Sequence, residues 1–462
     1  LFAGVLAGLV WAKWHTVIFS GWYLLFLVPV FLVFRKRTLY ALALLSLVGA
    51  LVGLHRGSVV ANNLARWQKL YGTTVQVIGQ INQDPTYDAK GRRDYYVAQV
   101  RVGDQSLPGQ LRVHSFGGSV SRGDTVQLNG KLYSGFGSYQ GTLPFATVKV
   151  LSHSKNPIEH MRRQFFTGVY NALPDSQASL GLGFLVGLKT QLSPDFTQQL
   201  QMLALTHIVV ASGYNLTILV RISRRVLARF SKFQALAGSI ALMVGMLMVT
   251  GMSASMSRAS IVTTLALLTW YYGRQVHAVL LLLLSAALIA WINPVYLWHD
   301  VGWWLSFMAF AGVLLLSPLI HHRFVQRAPP TLLGQVIIET LSAELLVEPI
   351  VMVVFGQFSV LGLLANVVVV PLIPLAMLLT FIAGLAGIFI PTAAGWLALP
   401  AKLVLNYVIG VIHWLSGIPW ASQKITLHAE GLAVILGSIA IIGSCLYWRL
   451  KFRYYEQASI ID

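Results

Sequence analysis

Followed for the alternation of apolar and polar positions, the chain falls into three textures. Leu1–Val10, Thr16–Phe34 and Tyr40–Leu54 are nearly unbroken apolar runs. From Tyr71 to about Leu151 the runs shrink to short segments of period two: TVQVIGQI from Thr74, YYVAQVRV at 95–102, GQLRVHSF at 109–116, DTVQLNGKL at 124–132 and FATVKVL at 145–151. Period two sends alternate side chains to opposite faces of a strand, and the breaks carry turn residues such as Asp84-Pro85, Lys90-Gly91 and Gly123-Asp124. Beyond Ala178 the long apolar runs return and continue to Leu446.

Runs of that length satisfy their backbone as helices in a bilayer. The second block predicts spans at 203–220, 233–250, 259–273, 276–292, 301–319, 333–355, 396–418 and 429–448. Ser359–Ile390 is too long for one ordinary span, and Pro371 and Pro374 predict a broken or re-entrant helix. The five short strands fit a small barrel of the OB type, although a small β-sandwich gives the same pattern. Pro157–Leu173, with Arg162 and Arg163 among aromatics, predicts an amphipathic helix along the membrane surface. The expected architecture is a polytopic α-helical membrane protein with an inserted small all-β (OB-like barrel) soluble domain. Its parts are N-terminal transmembrane helices at 1–56, the β domain at 71–152, an interfacial helix at 157–173, a transmembrane core at 178–448 and a basic tail at 449–462.

Composition excludes a soluble chain: 56% of residues are hydrophobic and 10% charged, against about 25% charged in soluble domains. The net charge of +18 gathers in clusters, Arg35-Lys36-Arg37, Arg221 with Arg224, Arg225, Arg229 and Lys232, Arg323 with Arg327, and Arg449 with Lys451 and Arg453. The positive-inside rule assigns these to the cytoplasm. With Ser359–Ile390 counted as one broken crossing, every cluster falls inside, the C-terminus is cytoplasmic and the β domain is extracytoplasmic. Cys445 is the single cysteine, so an intramolecular disulfide and a Cys/His zinc cluster are both excluded. There is no HxHxDH string and no GxxxxGK[ST] loop, so no enzyme, metal site or cofactor is expected.

Polar groups inside apolar runs are costly and therefore informative. Thr190–Val220 carries His207, Ser212, Gly213 and Asn215, where a Ser-Gly pair permits close packing or a local helix break. Arg258 opens an apolar run, either snorkelling to the interface or facing a water-filled path where it attracts phosphate. Asp300 stands where it would cap a helix. Glu339, Glu344 and Glu348 share one apparent span, the last two on one face, and are open to pairing with Arg258 or to proton transport. In the β domain Lys90, Arg92, Arg93, Arg101, Arg112, Arg122, Lys131 and Lys149 exceed the acids, and Tyr95 is one of several tyrosines open either to base stacking or to core packing.

Four of these strings, in order, resemble the ComEC competence family of bacterial DNA-import proteins. Gln191–Leu216 is similar to its SHLLAISGLHV-like motif and the GLSPEL-like stretch before it. Ser257-Arg258-Ala259 is similar to its RA-containing helix start, Asp300–Phe307 to PGFQLSF, and Gly362–Pro371, with Asn366, to GLLAN…P. The histidine of Gly-Leu-His-Val is Asn215 here, which cannot titrate near neutral pH. The resemblance is to the form lacking the C-terminal metallo-β-lactamase-like domain. It implies a channel that imports single-stranded DNA across the bacterial cytoplasmic membrane in natural transformation. It also implies a DNA receptor outside, a cytoplasmic DNA-translocating ATPase and, for a chain ending at Asp462, a separate nuclease. On that view Arg221, Arg224, Arg225 and Arg229 receive the emerging strand, and the β domain is the OB-like module before the core. A proton-coupled transporter of a small solute using Glu344 and Glu348 stays open from the residues alone, as does a membrane scaffold with an OB-like binding module.

Overall fold

The structure, a computed structural model, describes residues 1–17, 38–87, 93–115, 120–135, 137, 139–154, 156–187, 192–209, 213–250, 254–273, 278–324, 332–425 and 428–450. Most of the expected span Thr16–Phe34, together with Arg92, Ser212, Arg327 and residues 451–462 of the basic tail, lies outside them. The chain divides into two units, Leu1–Glu159 with Leu283–Trp304, and His160–Leu282 with Leu305–Asp462. It is mostly helical, with a small all-β domain toward the N-terminus.

In the first unit, the run starting at Tyr40 is much longer than its apolar stretch. It is one helix, Thr38–Gln68, of 31 residues. A Cβ placed on Gly4, Gly8, Gly49 or Gly53 would collide with the backbone of the opposite helix, so this helix and Phe2–Trp11 lie backbone to backbone. Small residues permit that approach between helices in lipid, where dispersion replaces the hydrophobic drive. The polar end of the long helix delivers Trp67 into the β domain. Its indole is fully buried and donates to the Pro108 carbonyl at 2.7 Å.

Among the described residues nine strands make that domain: β1 (Thr74–Ile81), β2 (Thr86–Tyr87), β3 (Arg93–Val102), β4 (Gln105–Ser106), β5 (Leu111–Ser115), β6 (Thr125–Lys131), β7 (Tyr133–Ser134), β8 (Gly141–Leu143) and β9 (Thr147–Ser152). They pair in the order β7-β8-β5-β3-β1-β6-β9, with β2 and β4 beside β3. The alternation in the sequence sets the faces: Val75, Val77, Val97, Leu111, Val126 and Leu128 turn inward around Trp67. The β5–β8 ladder is parallel and the others antiparallel. Among the described residues the sheet is an open path, so the barrel closure expected from the strand count is not part of the observed pairing.

By length and composition, five helices among the described residues can cross a membrane: Tyr40–Gln68, Lys232–Thr250, Val301–His322, Gly362–Phe389 and Leu399–Ser416. The expected continuous span 203–220 is not one of them. Helix Pro194–Met202 ends, Ala204 takes φ +53°, a 3-10 turn covers Thr206–Ile208, and a new helix starts at Gly213. The earlier helix starts where it does because the Ser193 hydroxyl accepts from the Phe196 N–H and Pro194 supplies a pre-set φ. Ser359–Ile390 divides into helix Gly362–Val369, a 3-10 turn Val370–Leu372 and helix Ile373–Phe389, broken where Pro371 has no N–H to give. The second unit's largest apolar core joins Asp175–Val186, Ile373–Phe389 and Leu399–Ser416, among other segments. The Gln177 amide donates across it to Asn406.

Candidate functional site

The second unit brings together residues from motifs far apart in the chain. Helix Leu332–Phe355 carries Glu344 and Glu348 one turn apart, and Glu344 accepts from Asn366 Nδ2 at 2.8 Å. Glu348 accepts from the Ser359 N–H at 3.1 Å, and the Ser359 hydroxyl donates to the Met202 carbonyl at 2.8 Å. That carbonyl belongs to the last turn of Pro194–Met202, so the network reaches the segment bearing His207. The network is possible because Gly362 lies against Ser359 and Ala204: a Cβ there would stand 2.9 Å from the Ser359 hydroxyl. Ala204 holds a left-handed φ without being glycine, a conformation costing about 1–3 kcal/mol. Its carbonyl accepts from His207 Nδ1 at 2.9 Å, while the imidazole as a whole is exposed.

Arg258 forms a second centre. It lies in helix Ala254–Tyr271 and is half-buried, its Nε donating to the Ser306 hydroxyl at 2.7 Å. The guanidinium faces the rings of Phe310 at 5.0 Å and Phe307 at 5.9 Å. Among the described residues no carboxylate lies within ion-pair distance of it. The pairing of Glu344 or Glu348 with Arg258 that the sequence allowed is therefore absent; both acids are engaged by neutral donors. Gly213 and Asn215 open helix Gly213–Leu227. From the same helix Arg224 is buried with its guanidinium 5.3 Å from the Trp270 ring, whereas Arg221, Arg225 and, just beyond it, Arg229 are exposed.

In the first unit, Asp300 takes the capping place expected of it, its Oδ1 accepting from the Trp303 N–H at 3.2 Å. The basic residues of the β domain differ in how they are engaged. Arg112 is held by Asp94, with Nε 3.0 Å from each carboxylate oxygen, and its other side donates to the Tyr139 hydroxyl at 3.1 Å. Those bonds to Asp94 raise the Arg112 guanidinium above its ordinary value. Arg122 pairs with Glu159 at 3.1 Å. Arg93 begins β3 half-buried. Tyr95 is 0% exposed, hydrogen-bonds weakly with Ser115 at 3.5 Å and offers no face to a base, so its part as a stacking residue gives way to core packing. Further basic residues are exposed on the side of the sheet away from the core, the side that also carries Arg112. Cross-strand register aligns Arg101 of β3, Ile78 of β1, Gln127 of β6 and Lys149 of β9 in one row, and Lys131 is exposed nearby opposite Thr74.

A sequence model of the competence protein family matches residues 184–451, more than half of the chain. The chain belongs to the competence protein family. It is also similar to ComE operon protein 3 of Bacillus subtilis (strain 168), 24% identical over 264 residues that cover 57% of this chain and 32% of that protein. The alignment thus spans about a third of that relative. No solved structure matches. With five helices among the described residues able to cross a membrane, this competence protein is a multi-pass membrane protein.

The matched region contains both centres just described: Arg258 with Ser306, and Glu344, Glu348 and Asn366 with Ser359. Sequence reasoning passed over Ser306, Phe310, Ser359, the Met202 carbonyl and Ala204. Ser306 sat inside a string already singled out, between Asp300 and Phe307. Ser359 and Ala204 gave no signal, because a backbone N–H and a strained φ have no residue-type signature.

Proposed function

We propose that this competence protein conducts one strand of DNA across the bacterial cytoplasmic membrane during natural transformation. The observation that carries the proposal is Arg258, a guanidinium set among apolar helices with a serine hydroxyl and two phenylalanine rings as its neighbours and, among the described residues, no carboxylate within ion-pair distance. Desolvating a cation without a counter-ion is costly, so such a site persists where an anion is to be received. A strand brings one phosphate per nucleotide, and a fork of N–H donors suits each in turn.

The β domain serves as the extracytoplasmic module, and we read it as OB-like. Supporting this, β8 pairs in parallel with β5 while β9, three residues on, pairs antiparallel with β6, so one bent segment touches both sides of the sheet. Its Arg101, Lys131 and Lys149 surface, and Arg221, Arg225 and Arg229 at the cytoplasmic side, attract the backbone. Helix Pro157–Ala172 lies along the membrane surface. A receptor outside, a cytoplasmic ATPase and a nuclease complete the pathway. Deleting the gene should abolish nuclease-protected uptake of labelled DNA while surface binding persists; normal uptake in the deletion strain would refute the proposal.

A further inference from the structure

Glu344 and Glu348 each commit one oxygen to a neutral donor, and among the described residues neither has Lys, Arg or His within ion-pair distance. The partner of Glu344 is incomplete. Asn366 is 2% exposed, and its amide oxygen is buried with no hydrogen-bond donor among the described residues, while its Nδ2 binds Glu344. An ionised Glu344 accepts from Nδ2 but has no hydrogen for Oδ1. A neutral Glu344 has both functions side by side, as an amide does. Its C=O accepts from Nδ2 and its O–H donates to Oδ1, closing a two-bond acid–amide ring that satisfies the orphaned oxygen.

We propose that Glu344 and Asn366 form a proton-binding site, loaded when the acid–amide ring is closed and emptied when Glu344 ionises and the ring opens. The ligand is a proton, and the inference stands whether or not the chain conducts DNA. Glu348, one turn along the same helix, opposes a second negative charge beside it. The segments packed on this helix are Gly312–Leu316, Ser317–Phe324, Gln357–Ser359, Gly362–Val369 and Ala429–Leu450. Their titratable and charged groups are His321, His322 and Arg323 on the second, and Glu430, Cys445, Tyr447 and Arg449 on the last. Among the described contacts, the hydrogen bond of Glu344 is to Asn366 alone.

The test is infrared difference spectroscopy of the full chain in lipid nanodiscs, in H2O and D2O. At neutral pH the native chain should display a deuterium-sensitive C=O band of a neutral carboxylic acid. Glu344→Gln should remove that band and Glu348→Gln should leave it. Asn366→Leu should move it to higher frequency, because the acid loses both hydrogen bonds. Glutamine at 344 can still pair with Asn366 through two amide hydrogen bonds, so that variant keeps the fold, which circular dichroism checks. A spectrum unchanged by Glu344→Gln, or a band that Asn366→Leu does not move, would overturn the assignment.

Discussion

Replacing Arg258 with alanine tests the DNA-path proposal at one side chain. The variant loses a 2.7 Å hydrogen bond to Ser306 and the faces of Phe307 and Phe310. Against those losses stands relief from desolvating a charge without a counter-ion, so the net effect on folding is small, within about 1 kcal/mol. Transport is affected differently. A charge-assisted hydrogen bond to phosphate contributes about 1.5–3 kcal/mol, and each 1.4 kcal/mol is about tenfold. Import of labelled DNA into a nuclease-protected pool should therefore fall by about 10- to 150-fold, with protein abundance unchanged on an immunoblot. Arg258→Lys should fall between, because it keeps the charge but not the planar fork. Import by the alanine variant within about twofold of the native level, at equal abundance, would reduce Arg258 to a packing residue and remove the observation on which the proposal rests.

Two further outcomes concern the β domain. Asp94→Ala leaves the Arg112 guanidinium, one third exposed, without its carboxylate. It should destabilise the β3–β5 ladder by about 1–2 kcal/mol after allowance for solvent screening, read as about ten-fold faster amide exchange there. The double variant with Arg112→Ala should cost less than the two single variants added together, and a cost equal to their sum would show that the pair does not act as a pair. Burial raises Tyr71, Tyr95 and Tyr96 above their ordinary value of 10.0, so the fold favours their neutral form. That contribution is complete below pH 10.0 and is lost as pH rises through the higher folded values. The part of the tyrosinate absorbance that Phe replacement of Tyr71, Tyr95 and Tyr96 removes should thus lag until β-sheet ellipticity is lost, and its appearance near 10.0 with the sheet intact would contradict the burial.

The sequence by itself determined the class of this protein, since apolar run length and period two are local properties read against a bilayer or a sheet. It also marked which motifs stand out, because a charge or amide in an apolar run is conspicuous wherever it ends up. What it left undecided was every relation between distant residues. The helix at Tyr40 runs on to Gln68 because its polar end is anchored by Trp67 in the β core, a contact made outside its own run. The interruption that follows Met202 passes through one left-handed alanine, Ala204, which no hydropathy pattern marks. Tyr95 and Arg112 are alike in being one aromatic and one cation on paired strands, yet the pleat sends one into the core and the other onto Asp94. Partner choice depends on which side chains the fold brings within about 3 Å. Only the tertiary structure could place Glu344 against Asn366 and leave Arg258 without an acid among the described residues.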